Sequence, residues 1–372
     1  MRRIVPILVL SIILIGCEPS SISNFGSTPT WKTPAHGVID GSILPSVTPV
    51  FSQADTAKDI EVYFSDPLHR IEGEYRGGPD EYLVQAINAA KVSVDIAIYN
   101  IDLWSIRDAL LDAFHRGLQV RIVMESDNLT DDVPQELKTA GIYILGDRRE
   151  GLMHNKFVIL DRQDVWTGSM NLTIGSAYYD NNNLIHLHSV ELAEDYLTEF
   201  DEMFVRDMFG TDVVPETPHP QVMVGDILVE VYFSPDDGVA EHIVDLVSHA
   251  QESIYFMVYS FTSNDIGAAI IERDQAGIYV EGVMEAEQIK SNTGTEYDPF
   301  IQVGINVYKD VNSGLMHHKV IIIDHNIVIT GSYNLSKNAE TNNDENIVVI
   351  HSLEIAEKYL QEFDRVSAQA GQ

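Results

Sequence analysis

A single cysteine, Cys17, occurs in the chain. A disulfide framework and a cysteine-based zinc site are therefore excluded, and stability has to come from the core. Basic residues are scarce too: 23 Lys and Arg stand against 57 Asp and Glu, a formal net charge of −34. Non-specific nucleic-acid binding draws its free energy from Lys and Arg displacing counterions, so this balance disfavours nucleic acid as a partner. It also repels anionic lipid headgroups. Long apolar runs are missing apart from residues 4–15, about twelve residues where roughly 20 are needed to cross a bilayer.

That run belongs to a targeting segment. Arg2 and Arg3 precede it, and Leu14-Ile15-Gly16-Cys17 looks like a bacterial lipoprotein cleavage box. The expectation is cleavage before Cys17 and lipidation of its thiol, which anchors the protein on the extracytoplasmic face of a bacterial membrane. Glu18 is not the Asp that marks inner-membrane retention, which leaves the outer membrane or cell surface. Losing Arg2 and Arg3 leaves 21 basic residues against the same 57 acidic ones, or −36. Residues 18–58 are rich in Ser, Thr, Pro and Gly, without apolar periodicity, and read as a disordered tether.

Beyond the tether the sequence is duplicated. Glu61-Val-Tyr-Phe-Ser65 returns as Glu230-Val-Tyr-Phe-Ser234, and Ser93-Val-Asp-Ile-Ala-Ile-Tyr99 as Ser253-Ile-Tyr-Phe-Met-Val-Tyr259. Tyr196-Leu-Thr-Glu-Phe-Asp201 returns as Tyr359-Leu-Gln-Glu-Phe-Asp364. Within each half, β-branched runs (92–99, 120–125, 157–161) alternate with helical patterns (80–90, 105–115, 191–206; then 240–251, 265–276, 353–365). The alternation predicts α/β layered domains with a mostly parallel sheet covered on both faces. The expected organisation is a first repeat at 59–210, a Pro-rich linker at 211–224 and a second repeat at 225–372.

The longest shared phrase is Gly151-Leu-Met-His-Asn-Lys156, continued to Thr173, against Gly314-Leu-Met-His-His-Lys319, continued to Ser336. Both copies fit His-x-Lys-x4-Asp-x6-Gly-Ser-x-Asn. A random His-x-Lys-x4-Asp arises at roughly one position in ten thousand. Two copies continued at identical spacing are not chance. On a strand, His-x-Lys points an imidazole and an ammonium to one side, because side chains alternate.

This motif pair resembles the phospholipase D superfamily, and the resemblance covers nearly the whole mature chain. It implies two tandem α/β/α sandwich repeats related by a pseudo-two-fold axis, with one active site shared between them. His154 and His317 are then the catalytic pair, with Lys156, Lys319, Asn171 and Asn334 holding phosphate oxygens. One neutral imidazole attacks phosphorus and the other imidazolium protonates the leaving alkoxide, without cofactor or metal. Ser169 and Ser332 are phosphate contacts or turn formers, and Asp161 and Asp324 are assigned to turn or cap contacts. His318 should face the opposite side of its strand. His186 and His188 read as solvent-facing strand histidines rather than metal ligands.

The resemblance also implies that Glu345, in Asn342-Asn-Asp-Glu-Asn346, accepts a hydrogen bond from a motif histidine. Asn182 is its counterpart in the first half. Pairing each with the histidine of its own half makes His317 the proton donor and His154 the neutral nucleophile, because a carboxylate partner raises an imidazole pKa. The expected activity is hydrolysis of phospholipid phosphodiesters through a covalent phosphohistidine, since a membrane anchor raises the effective concentration of a lipid substrate. A nuclease-like phosphodiesterase, a phosphatidyltransferase of the cardiolipin synthase kind and a non-catalytic surface scaffold are the alternatives. The scaffold predicts erosion of a motif, and neither motif is eroded.

Overall fold

The computed structural model describes residues 59–70, 73–149 and 151–371. The leader, Cys17 and the tether lie outside the described residues. The described residues belong to one compact unit, and none of their helices is long and apolar enough to cross a membrane.

The first half runs β1 (Ile60–Phe64), α1 (Asp80–Ala89), β2 (Ser93–Ile98), α2 (Trp104–His115), β3 (Gln119–Met124), α3 (Asp132–Ala140) and β4 (Tyr143–Gly146). It continues with β5 (Lys156–Leu160), β6 (Asp164–Gly168), α4 (Ile174–Tyr178), β7 (Asn183–His188) and α5 (Val190–Phe204). The second half runs β8 (Gln221–Val224), β9 (Ile227–Ser234), α6 (Val239–Ser248), β10 (Ser253–Val258), α7 (Asn264–Gln275) and β11 (Tyr279–Met284). Then come α8 (Ala286–Ser291), α9 (Tyr297–Val303), β12 (Asn306–Lys309), β13 (Lys319–Ile323), β14 (Ile327–Gly331), α10 (Lys337–Thr341), β15 (Glu345–His351) and α11 (Leu353–Ala370).

The sheets are ordered β1-β7-β6-β5-β2-β3-β4 and β12-β11-β10-β13-β14-β15-β9-β8. They correct the expectation of a mostly parallel sheet. Among the described strands only β2-β3-β4 and β10-β11-β12 are parallel, and every other strand pairing is antiparallel. The physical reason is connection length. Helical crossovers join β2, β3 and β4, whereas β5 returns directly as β6 through a tight turn. The linker is shorter than expected as well, because Gln221–Val224 is a strand paired with β9.

The two halves share a central layer. Helices α5 and α11 bury Tyr196, Phe200, Tyr359 and Phe363 in one apolar core that takes inner-face residues from both sheets. Each begins with a serine cap: Ser189 Oγ accepts from Leu192 N, and Ser352 Oγ from Ile355 N. The outer faces are covered separately, by α1, α2 and α3 over one sheet and α6, α7 and α9 over the other. Five layers result, helix-sheet-helix-sheet-helix.

Candidate active site

Strand β5 opens with Lys156 and β13 with Lys319, so both copies of His-x-Lys sit where the chain enters the sheet. At the exits of β6 and β14, Gly168 and Gly331 have φ of 134° and 153°, and a Cβ there would lie 2.5 Å and 2.2 Å from the carbonyls of Asn183 and Asn346. Glycine is required at both places. The serines that follow are built into the scaffold. Ser169 Oγ donates to Asn182 Oδ1 at 2.9 Å and accepts from Asn183 N at 3.0 Å, and Ser332 Oγ accepts from Asn346 N at 3.0 Å.

The halves are stitched together at the site. The His154 N–H donates to Asp344 O (3.0 Å) and the Asp344 N–H to Leu152 O (2.9 Å). In the mirror arrangement His317 N–H donates to Asn181 O (2.9 Å) and Asn181 N–H to Leu315 O (2.7 Å). The glycine opening each motif allows this approach: a Cβ on Gly151 would stand 2.4 Å from Asn342 O, and one on Gly314 2.0 Å from Tyr179 O. Thr167 reaches Asn346 Oδ1 at 2.8 Å and Thr330 reaches Asn183 Oδ1 at 3.2 Å, adding a second crossed layer.

This stitching overturns the pairing expected from sequence. His154 Nδ1 bonds Glu345 Oε2 at 2.7 Å, and His317 Nδ1 bonds Asn182 Oδ1 at 2.9 Å. Each histidine is oriented by the opposite half, because the cross-half bridges bring residues 345 and 182 beside the histidine of the other motif. The Asn182 amide is held by its Nδ2 bond to Ser176 O (3.0 Å), which turns its oxygen towards His317. With the carboxylate and the amide oxygen accepting, Nδ1 is the donor of both rings and Nε2 carries the lone pair.

Both histidines and both lysines are buried. Lys156 Nζ donates to His154 O and Lys319 Nζ to His317 O, each at 2.8 Å. Burial, then the two ammoniums, hold His154 well below the ordinary imidazole pKa. Burial and the same two ammoniums, Lys319 first, do so for His317. Burial lowers Lys156 to about 7 against the pull of Glu345, and lowers Lys319 well below the usual ammonium range. Glu345 is pushed up to about 7 by burial, opposed by Lys156. Every group is thus driven towards neutrality. The buried Oδ1 atoms of Asn171 and Asn334 have no hydrogen-bond partner among the described residues.

Tyr99 and Tyr259, missed as site residues, complete the walls. Each lies just past a strand (β2 or β10) whose last residue pairs with the motif lysine. Tyr99 meets His154 edge-on at 5.1 Å and Tyr259 meets His317 at 4.8 Å. The signal was available: both tyrosines close matched segments of the repeat.

The remaining singled-out residues lie elsewhere. Asp161 accepts from the backbone N–H groups of Lys91, Val92 and Ser93, and Asp324 from those of Gln251, Glu252 and Ser253. His318 points away from the site and bonds Glu362 Oε1 at 2.9 Å. His188 is half exposed, but His186 is not solvent-facing as expected: only 14% of its side chain is exposed, because it stacks on Trp166. Both donate to Asp164 Oδ1.

The duplicated fold thus brings together two buried His-Lys pairs, one from each half, each histidine held by a residue of the other half. A family model described as "Cardiolipin synthase, PLD-like domain" matches residues 83–204 and 243–367, and the chain belongs to this phospholipase D-like family. A phospholipase D from Rickettsia bellii (strain RML369-C) is 34% identical over 167 residues, covering 41% of this chain and 81% of that protein. A mitochondrial cardiolipin hydrolase from Chlamydomonas reinhardtii is 30% identical over 123 residues, covering 33% of this chain and 55% of that one. The phosphatidylserine synthase structure from Haemophilus influenzae Rd KW20 superposes with a TM-score of 0.58 at 13% identity, covering 84% of this chain and 87% of that chain, a likeness of fold. The protein is a phosphodiester-hydrolysing enzyme built from two tandem phospholipase D-like repeats.

Proposed function

We propose that this enzyme hydrolyses the headgroup phosphodiester of phospholipids through a covalent phosphohistidine on His154, without a metal ion, while tethered to a membrane by lipidated Cys17. The observation carrying the mechanism is the 2.7 Å bond from His154 Nδ1 to Glu345. It fixes the tautomer that leaves Nε2 with a lone pair. When Nε2 bonds to phosphorus the ring becomes a cation, and Glu345 opposes that charge. The carboxylate that would raise a donor's pKa is thus on the nucleophile. His317, held by a neutral amide and kept below the ordinary imidazole pKa, is protonated with help from the entering phosphate anion. With no counter-charge to retain the proton, it passes it to the departing alcohol. Lys156 and Lys319 hold the equatorial oxygens, a task that needs cations of fixed position. Water, activated by His317 in its neutral form, then attacks the phosphohistidine, and His154 Nε2 departs with its electron pair.

For the substrate, support comes from relatives named phospholipase D and cardiolipin hydrolase and from the net charge of −34, which disfavours nucleic acid. The test is parallel incubation of the purified protein with phosphatidylcholine, cardiolipin, single-stranded DNA and bis-p-nitrophenyl phosphate in EDTA. Release of headgroup from lipid, with DNA left intact, is expected. Cleavage of DNA with untouched lipid would replace the lipid by nucleic acid, and activity that appears only when a divalent cation replaces EDTA would remove metal independence.

A further inference from the structure

We propose that Tyr99 and Tyr259 are positioning residues that keep the ammonium groups of Lys156 and Lys319 charged and directed at the phosphoryl oxygens. The proposal rests on the reading of those lysines as phosphate holders. Its basis is a contact made twice. Lys156 Nζ lies 5.3 Å from the centroid of the Tyr99 ring and Lys319 Nζ 4.9 Å from that of Tyr259. An ammonium within about 6 Å of an aromatic centroid is attracted by the negative ring face, more strongly where water is excluded. Both lysines are buried, and the hydrogen bond each makes within its own half is to the carbonyl of the motif histidine, at 2.8 Å.

The rings also touch the histidines edge-on, so each tyrosine spaces one imidazole from one ammonium. Duplication sharpens the point. The residues after Tyr99 and Tyr259 differ, Asn100 and Ser260, and so do those before them, Ile98 and Val258, yet the tyrosine and both its contacts recur. The phenols themselves stay protonated in the working range. Burial, then Glu125, raises Tyr99, and burial, then Glu285, Asp180 and Tyr99, raises Tyr259. Groups facing the lysines are each other, His154 and His317 just before the motif strands, and Glu345 on β15, with Asp180 beside Lys319. Of these, only Glu345 and Asp180 favour the ammonium form, and burial moves both carboxyls towards their neutral state. The ring faces supply attraction that does not titrate.

A tyrosine that merely fills space would be replaced equally well by Phe or Leu as far as pH dependence goes. The experiment measures kcat/KM against pH from 6 to 10 on the full-length protein with bis-p-nitrophenyl phosphate, for Tyr99→Phe, Tyr99→Leu, Tyr259→Phe and Tyr259→Leu. The Phe variants, which keep the face, should hold the basic limb in place. The Leu variants should move it down by about one pH unit, so that activity above the limb falls about tenfold. Binding of inorganic phosphate, followed by calorimetry at pH 7 and 9, should weaken at the higher pH more in the Leu variants than in wild type. Should a Leu variant fail to fold, Tyr→Trp at the same position provides the check, with a limb at or above that of wild type. An unmoved limb in the Leu variants, a Phe shift as large as the Leu shift, or a Trp limb below wild type overturns the proposal. A wild-type protein inert towards every phosphodiester would instead overturn the reading of the lysines.

Discussion

Glu345 and Asn182 occupy matching places in the two repeats, and their exchange of partners changes what each residue does. The carboxylate was expected on the proton donor and lies instead on His154. Substituting Glu345→Gln should therefore act as a lesion of the nucleophile. A loss of about 10- to 100-fold in kcat is expected for both phosphatidylcholine and a p-nitrophenyl ester, because neither leaving group relieves a poorer attack. His317→Ala should differ, being rescued by the p-nitrophenolate leaving group, which needs little protonation, while His154→Ala is not. Equal rescue of the two alanine variants would contradict the division of labour. The residues proposed for the chemistry could be picked out along the chain because the motif is local and occurs twice. The crossing was not, since nothing along the chain says that the bridge at Asp344 pairs with Met153 rather than with its own half.

At the scale of elements, the helices followed from apolar periodicity, but sheet direction did not. Helical crossovers hold for β2 to β4, and the alternating pattern invites their extension to β5 and β6. The hairpin there lacks an Asn-Gly signal. It is closed by Asp161 and Arg162, with φ of 54° and 58°, and in the second half by Asp324 and His325, with φ of 52° and 54°. Each aspartate then ties the turn to the strand entering beside it, with three backbone donors on one carboxylate. Asp161→Ala should cost about 2–3 kcal/mol of stability, read by urea unfolding, because three donors lose a charged acceptor and the new side chain still has to adopt a positive φ. The kcat/KM pH profile should not move. A shifted profile at unchanged stability would give this aspartate a place in the chemistry instead of the turn.

For the whole molecule, burial sets the pH dependence. Asp344 and Glu345 are raised to about 7, each chiefly by burial, as is Asp236, and Asp180, Asp195 and Asp310 to about 6. A carboxyl whose folded pKa exceeds its unfolded value binds more protons when folded, so its contribution is present at low pH and fades as pH rises through the folded value. The buried histidines and the two buried lysines oppose this, since their folded pKa values are depressed, but the raised carboxyls outnumber them. Thermal stability should fall between pH 5.5 and pH 7, and a midpoint that rises across that interval would contradict the assignment. The scarcity of cysteine and the repeat boundaries also lead us to expect that a body beginning near Thr56 folds without its tether, reductant or metal. Aggregation cured only by restoring residues 18–55 would count against that boundary.

Everything proposed for the chemistry depends on the two halves building one site with one nucleophile. Acid-quenching the full-length enzyme during steady turnover of phosphatidylcholine, and mapping the adduct by mass spectrometry, decides that point. At most one phosphatidyl group per chain is expected, on the peptide containing His154. Two groups per chain, or an adduct confined to the peptide containing His317, would contradict it.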